Sequence, residues 1–151
     1  MRLQELLNNG EYEIIMRNIL FRAKTIESNS KWVYGLITKM CGKFNIVSLT
    51  GENTAYPIIK DTICQYTGVN DKNNIKIFNG DILEFTDNDG AKVLELVSWN
   101  EKTLSYNIYQ NGNKQLPDDF TGFEQSSYRY EVVGNIYDNK TLLCYNHNNK
   151  T

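Results

Sequence analysis

The chain has 151 residues, a formal net charge of −2 and 23% charged residues, a composition that suits one ordinary globular domain with enough length to bury a core. A sequence pI near 5.4 gives no global electrostatic footprint for nucleic acid, although 16 Lys and Arg leave room for a local basic face. No apolar run approaches the roughly 20 residues that a bilayer span needs and nothing at the start reads as a signal peptide, so a cytoplasmic chain with no membrane role is expected.

In chain order, "MRLQELLNNG" sets Leu3, Leu6 and Leu7 at helical spacing before an Asn-Asn-Gly stop, which predicts a short N-terminal helix. "EYEIIMRNILFRAK" is ambiguous between helix and strand, with a strand favoured from about Asn18. β signals then dominate. "KWVYGLIT" and "FNIVSLT" are rich in aromatic and β-branched residues. "IKIF" and "DILEFT" flank Asn79-Gly80, the strongest short hairpin signal, because a type I′ turn needs positive φ at both central residues. Thr67-Gly68 and Asp71-Lys72-Asn73-Asn74 read as further turns, and "DNDG" at 87–90 as another before "AKVLELVSW". "TLSYNIYQ" leads to a candidate long loop over 112–127, and "YRYEVVGNIYD" closes the pattern. Short strands at this spacing predict a mainly β chain, a small barrel-like or sandwich domain of antiparallel strands carrying the N-terminal helix.

Three pieces of this sequence, taken together and in order, resemble the YopX family of phage and prophage proteins. They are "MRNILFRAK…KWVYGLIT", the block "QYTGVNDKNNIKIFNGDI", and "YEVVGNIYDNKTLL". Where the family usually has Trp after Phe-Arg-Ala, this chain has Lys24. The family's opening aligns with Met16, which divides the chain into a helical extension over 1–15, a β domain over 16–145 and a polar tail over 146–151. The resemblance implies a mainly β, oligomeric phage protein in the host cytoplasm and no particular reaction.

Candidate chemistry is sparse. The single histidine, His147, lies in the polar tail, where no packing would hold it beside a nucleophile. Cys41, Cys64 and Cys144 are odd in number and widely spaced, which suits free thiols and offers no chelating pair for zinc. Neither Asp71 nor Asp87 starts a workable EF-hand loop: Lys76 stands at the sixth position of the first, and Ser98 at the twelfth of the second. Glycines never cluster as a phosphate loop. No catalytic, cofactor-binding or metal-binding residue is therefore expected. Gly68, Asn79, Gly80 and Asp81 read as structural turn residues. Asp71, Asn73, Asn74, Tyr128 and Tyr130 are the candidate contact surface, because exposed turns and paired tyrosines recur at interfaces. These readings lead to a non-enzymatic protein acting through contacts with itself or with a phage or host protein. A small β module binding single-stranded nucleic acid through surface tyrosines is the alternative, and a metal-dependent hydrolase built on paired carboxylates such as Asp118-Asp119 is the third.

Overall fold

In a computed structural model the described residues are 18–51, 54–110, 118–119 and 129–143. Almost all regular structure in them is β. The strands are β1 (Phe21–Lys24), β2 (Trp32–Met40), β3 (Lys43–Ser48), β4 (Ala55–Pro57), β5 (Cys64–Asn70), β6 (Lys76–Phe78), β7 (Asp81–Thr86), β8 (Lys92–Asn100), β9 (Ser105–Gln110), β10 (Asp118–Asp119) and β11 (Glu131–Asn135). They form two antiparallel sheets, one of six strands in the order β4-β3-β2-β1-β5-β6 and one of five in the order β10-β9-β8-β7-β11. The expected N-terminal helix and Cys144 lie outside the described residues, as does most of the expected 112–127 loop; helical structure within them is limited to single 3-10 turns such as Lys60–Thr62 and Lys140–Leu143.

The tight hairpin of this fold is at Cys41-Gly42. Both residues have positive φ (49° and 78°), and Met40 pairs directly with Lys43, which is the backbone a two-residue type I′ loop requires. The hairpin expected at Asn79-Gly80 does not form. β6 pairs with β5 in the first sheet and β7 with β8 and β11 in the second, so the dipeptide is where the chain crosses between sheets. Its polar groups explain this. Asn79 N–H donates to Gln65 O (2.9 Å) on β5, whereas Gly80 N–H donates to Val97 O (2.8 Å) on β8 and Gly80 O accepts from Ile136 N–H (2.9 Å). Gly80 alone carries the positive φ, 83°, and glycine allows it at no steric cost. Thr67-Gly68 is likewise no turn between strands: Gly68 (φ 97°) sits inside β5, where the register with β6 shifts between Tyr66 and Asn70. A glycine in a strand often marks such a bulge.

The six-stranded sheet curls. Past β1, Thr25 bridges Ile58, Ile59 N–H donates to Lys24 O (2.9 Å) and Ile26 N–H to Pro57 O (3.2 Å), so the β4 end returns towards β1 without closing a continuous barrel. Ala23, Val33, Ile46 and Ile58 fill the inside of the curl. A second core packs Ile77 of β6 against Leu83, Val97, Tyr106 and Ile108 of the five-stranded sheet. Between them a third cluster joins Leu20, Cys64, Tyr66 and Phe78, with Trp32 and Tyr137 packed against it. That third cluster is the seam between the sheets.

Candidate functional site

The seam contains the densest chemistry of the described residues. Arg22, on β1, would ordinarily be a solvent-facing residue of an alternating strand, yet it is buried, and Asp81 at the start of β7 is fully so. The Arg22 guanidinium donates from Nη2 to Asp81 Oδ1, while Asp81 Oδ2 accepts the Phe78 N–H at 2.7 Å. The guanidinium carbon lies 4.6 Å from the centroid of the Trp32 ring and 4.7 Å from that of Phe78, within cation–π range of both faces. Cys64, opposite Arg22 in the β1–β5 pairing, donates from Sγ to Thr62 O at 3.4 Å. At the rim, Trp32 Nε1–H donates to Asp138 Oδ2 at 2.7 Å, and Lys24 Nζ pairs with Asp138 Oδ1. Lys24 therefore ties β1 to the segment after β11 by charge, and its ammonium lies 5.6 Å from the Trp32 ring.

Burial dominates the electrostatics here. It pushes the Asp81 carboxyl up to about 6, against the pull of Arg22 and the Phe78 N–H. Burial opposes the Arg22 charge as well, and the Asp81 carboxylate more than offsets it, so the guanidinium stays firmly protonated. The Cys64 thiol is raised by burial, and the Tyr137 hydroxyl is pushed up to about 12, again by burial first and then by Cys64. Such shifts occur at active sites and in structural ion-pair networks alike. Here burial holds the thiol and the phenol in their protonated forms, and the Arg22 and Asp81 charges face one another. The Arg22–Asp81 pair staples the two sheets.

Asp71 works the same way at the other end of the seam. Its Oδ1 accepts from Asn73 N–H (2.8 Å) and Ile75 N–H (2.9 Å), and its Oδ2 accepts from Val132 N–H (3.0 Å) on β11. Asp71 is buried and clamps the loop onto the second sheet, so it does not present the contact surface expected of it. Asn73 and Asn74 are exposed beside it, with Asn74 at φ 63°. Tyr130 is also turned inward: it packs on the second core, with its ring 5.2 Å edge-on from Phe85. The tyrosine pair expected with Tyr128 cannot be placed, because Tyr128 lies outside the described residues.

Each stretch that carried the sequence resemblance contributes to this seam: Arg22 and Trp32 from the first, Tyr66, Asp71 and Asp81 from the second, Tyr137 from the third. The model of the YopX protein family matches residues 15–144. The chain belongs to the YopX family. No curated protein matches it. Among solved structures, this YopX chain is similar to protein EF1440 from Enterococcus faecalis, at 21% identity over 82% of this chain and 74% of that one, with a TM-score of 0.39.

Two surface features remain. Lysines of the six-stranded sheet lie over aromatic rings: Lys39 and Lys60 Nζ at 5.6 and 5.7 Å from the Phe44 centroid, Lys31 at 5.6 Å from Tyr56, and Lys76 at 5.8 Å from Tyr66. Along β2, Tyr34, Leu36 and Met40 are each about half exposed. Among the described residues, no three His, Cys, Asp or Glu side chains converge to hold a metal ion, and no helix is long and apolar enough to cross a membrane. Sequence reasoning missed Arg22 and Cys64. The available signal was a lone Arg between apolar neighbours in "FRA", where alternation alone would have placed it outside.

Proposed function

We propose that this YopX-family chain is a phage- or prophage-encoded, non-enzymatic protein that acts through protein contacts, including contacts with its own copies. One observation carries the reading. The buried Arg22 and Asp81 are paired with each other where the sheets join and the Cys64 thiol is buried and bonded to Thr62 O, while the exposed face of β2 carries large apolar side chains. A protein whose reactive groups are internal and whose apolar groups are external is built for recognition.

A second reading, binding of single-stranded nucleic acid, is favoured by the Lys–aromatic pairs at Phe44, Tyr56 and Tyr66, since stacking rings beside cations are what such modules use. The net charge of −2 weighs against it. Two measurements on the full chain separate the readings. Sedimentation velocity from micromolar concentrations upward should show association that grows with concentration. Fluorescence anisotropy with labelled single-stranded DNA should show no salt-sensitive titration at micromolar protein. A monomer at every concentration, together with DNA binding that weakens as salt rises, would replace the first reading by the second.

A further inference from the structure

We infer that the lysine-bearing side of the curled sheet, around Phe44 and Tyr56, binds an acidic polypeptide segment of another protein. The inference rests on the protein-contact reading above and gives it a site and a partner chemistry.

Charge is divided unevenly along the chain. Residues 18–63, which build β1 to β4, carry six Lys or Arg against three Asp or Glu, whereas residues 64–143 carry seven against twelve. The curl is therefore basic in a chain whose net charge is −2. Three of its cations gather over two rings. Lys39 and Lys60 Nζ lie 5.6 and 5.7 Å from the Phe44 centroid, and Lys31 Nζ lies 5.6 Å from that of Tyr56. The rings are themselves neighbours. Tyr56 pairs with Ile46 across β3 and β4, and Phe44 stands two residues from Ile46 on the same side of the sheet, so the two rings occupy diagonal positions roughly 7–8 Å apart. Both pack on the core of the curl, which fixes the surface that the ammoniums ride on.

Charge complementarity selects an acidic partner. The salt bridges among the described residues belong to Arg22, Lys24, Lys72 and Lys92. Glu27 and Asp61, the described carboxylates of 18–63, hold none of the three lysines. All three lysines are exposed, and an ammonium already resting on a ring gives up less side-chain freedom on binding than one loose in water. Two observations select polypeptide over nucleic acid. A base stacks on an open ring face, and here the ammoniums stand over Phe44 and Tyr56. Exposed aliphatic groups also lie beside the lysines: the Thr25–Ile58 bridge sets residues 24–26 alongside 57–59, leaving Ile26 56% and Ile59 39% exposed. A segment with carboxylates and apolar side chains matches both features, and a sugar-phosphate backbone matches only the charge. The contact is ionic in its selectivity and weakens with salt.

Fluorescence anisotropy of the full chain with a short labelled peptide of alternating Glu and Leu tests this. The peptide should bind, and bind less as salt rises; the same peptide with Gln for every Glu should bind about tenfold more weakly or worse. The triple variant Lys31→Gln, Lys39→Gln, Lys60→Gln should lose affinity for the acidic peptide by a similar factor with unchanged far-ultraviolet circular dichroism. Lys31→Arg, Lys39→Arg, Lys60→Arg should retain it, because the charges remain, and Lys102→Gln, exposed in the β8–β9 turn, should bind as wild type does. If the acidic peptide does not bind, or the Gln peptide or the triple Gln variant binds equally well, the inference falls while sedimentation velocity still decides the contact reading. Labelled single-stranded DNA that binds more tightly than the acidic peptide would overturn both.

Discussion

Arg22 and Asp81, 59 positions apart in the sequence, meet as a buried ion pair where the two sheets join. Neither charge has an energetic reason to leave water alone. The pair is tolerable because Asp81 also accepts a backbone N–H and Arg22 lies between two aromatic rings. Buried pairs seldom add much net stability over an apolar substitute, yet breaking one strands a charge.

Removing one partner should therefore cost far more than removing both. Asp81→Ala is expected to destabilise the fold by about 3–5 kcal/mol, because it leaves the Arg22 charge buried and uncompensated. The double variant Arg22→Met, Asp81→Ala should lose less than the sum of the two single variants. Urea midpoints of the four proteins measure the coupling. Strictly additive losses would mean that the two side chains do not act as a pair.

Two carboxyls carry opposite pH signatures. Burial raises Asp81 from 3.8 to about 6, so the folded chain binds that proton more tightly than the unfolded one. Its contribution is complete below about pH 4 and declines as pH rises through 6. Asp138 is held down to about 2, first by the hydrogen bond from Lys24 and further by Trp32 and Asn135. Its contribution is present above about pH 4 and is lost as pH falls through 2. Stability measured by urea at a series of pH values should lose its downward trend between pH 4 and 6 in Asp81→Asn. The fall between pH 4 and 2 should flatten in Asp138→Asn, modestly because that side chain is partly exposed. Slopes unchanged from wild type in both variants would refute the assignment.

Thiol reactivity should split by site. Cys41 is exposed in the β2–β3 turn, whereas Cys64 is buried and its pKa is raised by that burial, and only the thiolate reacts. Brief alkylation of the native protein at neutral pH, read by peptide mass spectrometry, should label Cys41 and spare Cys64 until urea is added. Equal labelling of both in the native state would show that the seam opens readily.

Much of the fold was legible because strand signals are local. "AKVLELVSW" and "TLSYNIYQ" became β8 and β9, and "DNDG" became the turn before β8, where Asp87 Oδ1 accepts from Asp89 N–H (3.0 Å) and Ala91 N–H (2.8 Å). Asn79-Gly80 misled because a positive φ at glycine serves a hairpin and a sheet-to-sheet crossing equally. What decides between them is where Gln65 O and Val97 O lie, and those are non-local. Asp71 misled for a similar reason: the turn around it is local, but the third bond from its carboxylate goes to Val132, 61 residues away. The motifs that identified the family marked the seam without revealing their convergence. Nothing in "FRA" alone announces an aspartate on another sheet.

The last prediction concerns Gly35, the fourth residue of "WVYG". At φ 158° its backbone lies at the edge of the positive range that L side chains rarely adopt, and permitting that angle is only part of what the glycine does. It supplies room. A Cβ built there would lie 1.9 Å from Val47 O and 2.7 Å from Val47 C, and these are backbone atoms of β3 that cannot swing aside as a side chain could. Gly35 pairs with Ser48 in the β2–β3 ladder, so relieving the clash means prising those strands apart beside the curl's core residues Val33 and Ile46. Gly42 is the natural control: it has positive φ, 78°, and nothing within 4 Å of the added Cβ. Gly42→Ala should cost about 1 kcal/mol, the ordinary penalty for an L-residue in the left-handed region. Gly35→Ala should cost more, at or beyond the upper end of the roughly 1–3 kcal/mol seen when cores are overpacked. Thermal and urea unfolding of the two variants side by side decides it. A Gly35→Ala protein as stable as Gly42→Ala would mean that β2 and β3 approach less closely at Val47 than this fold requires.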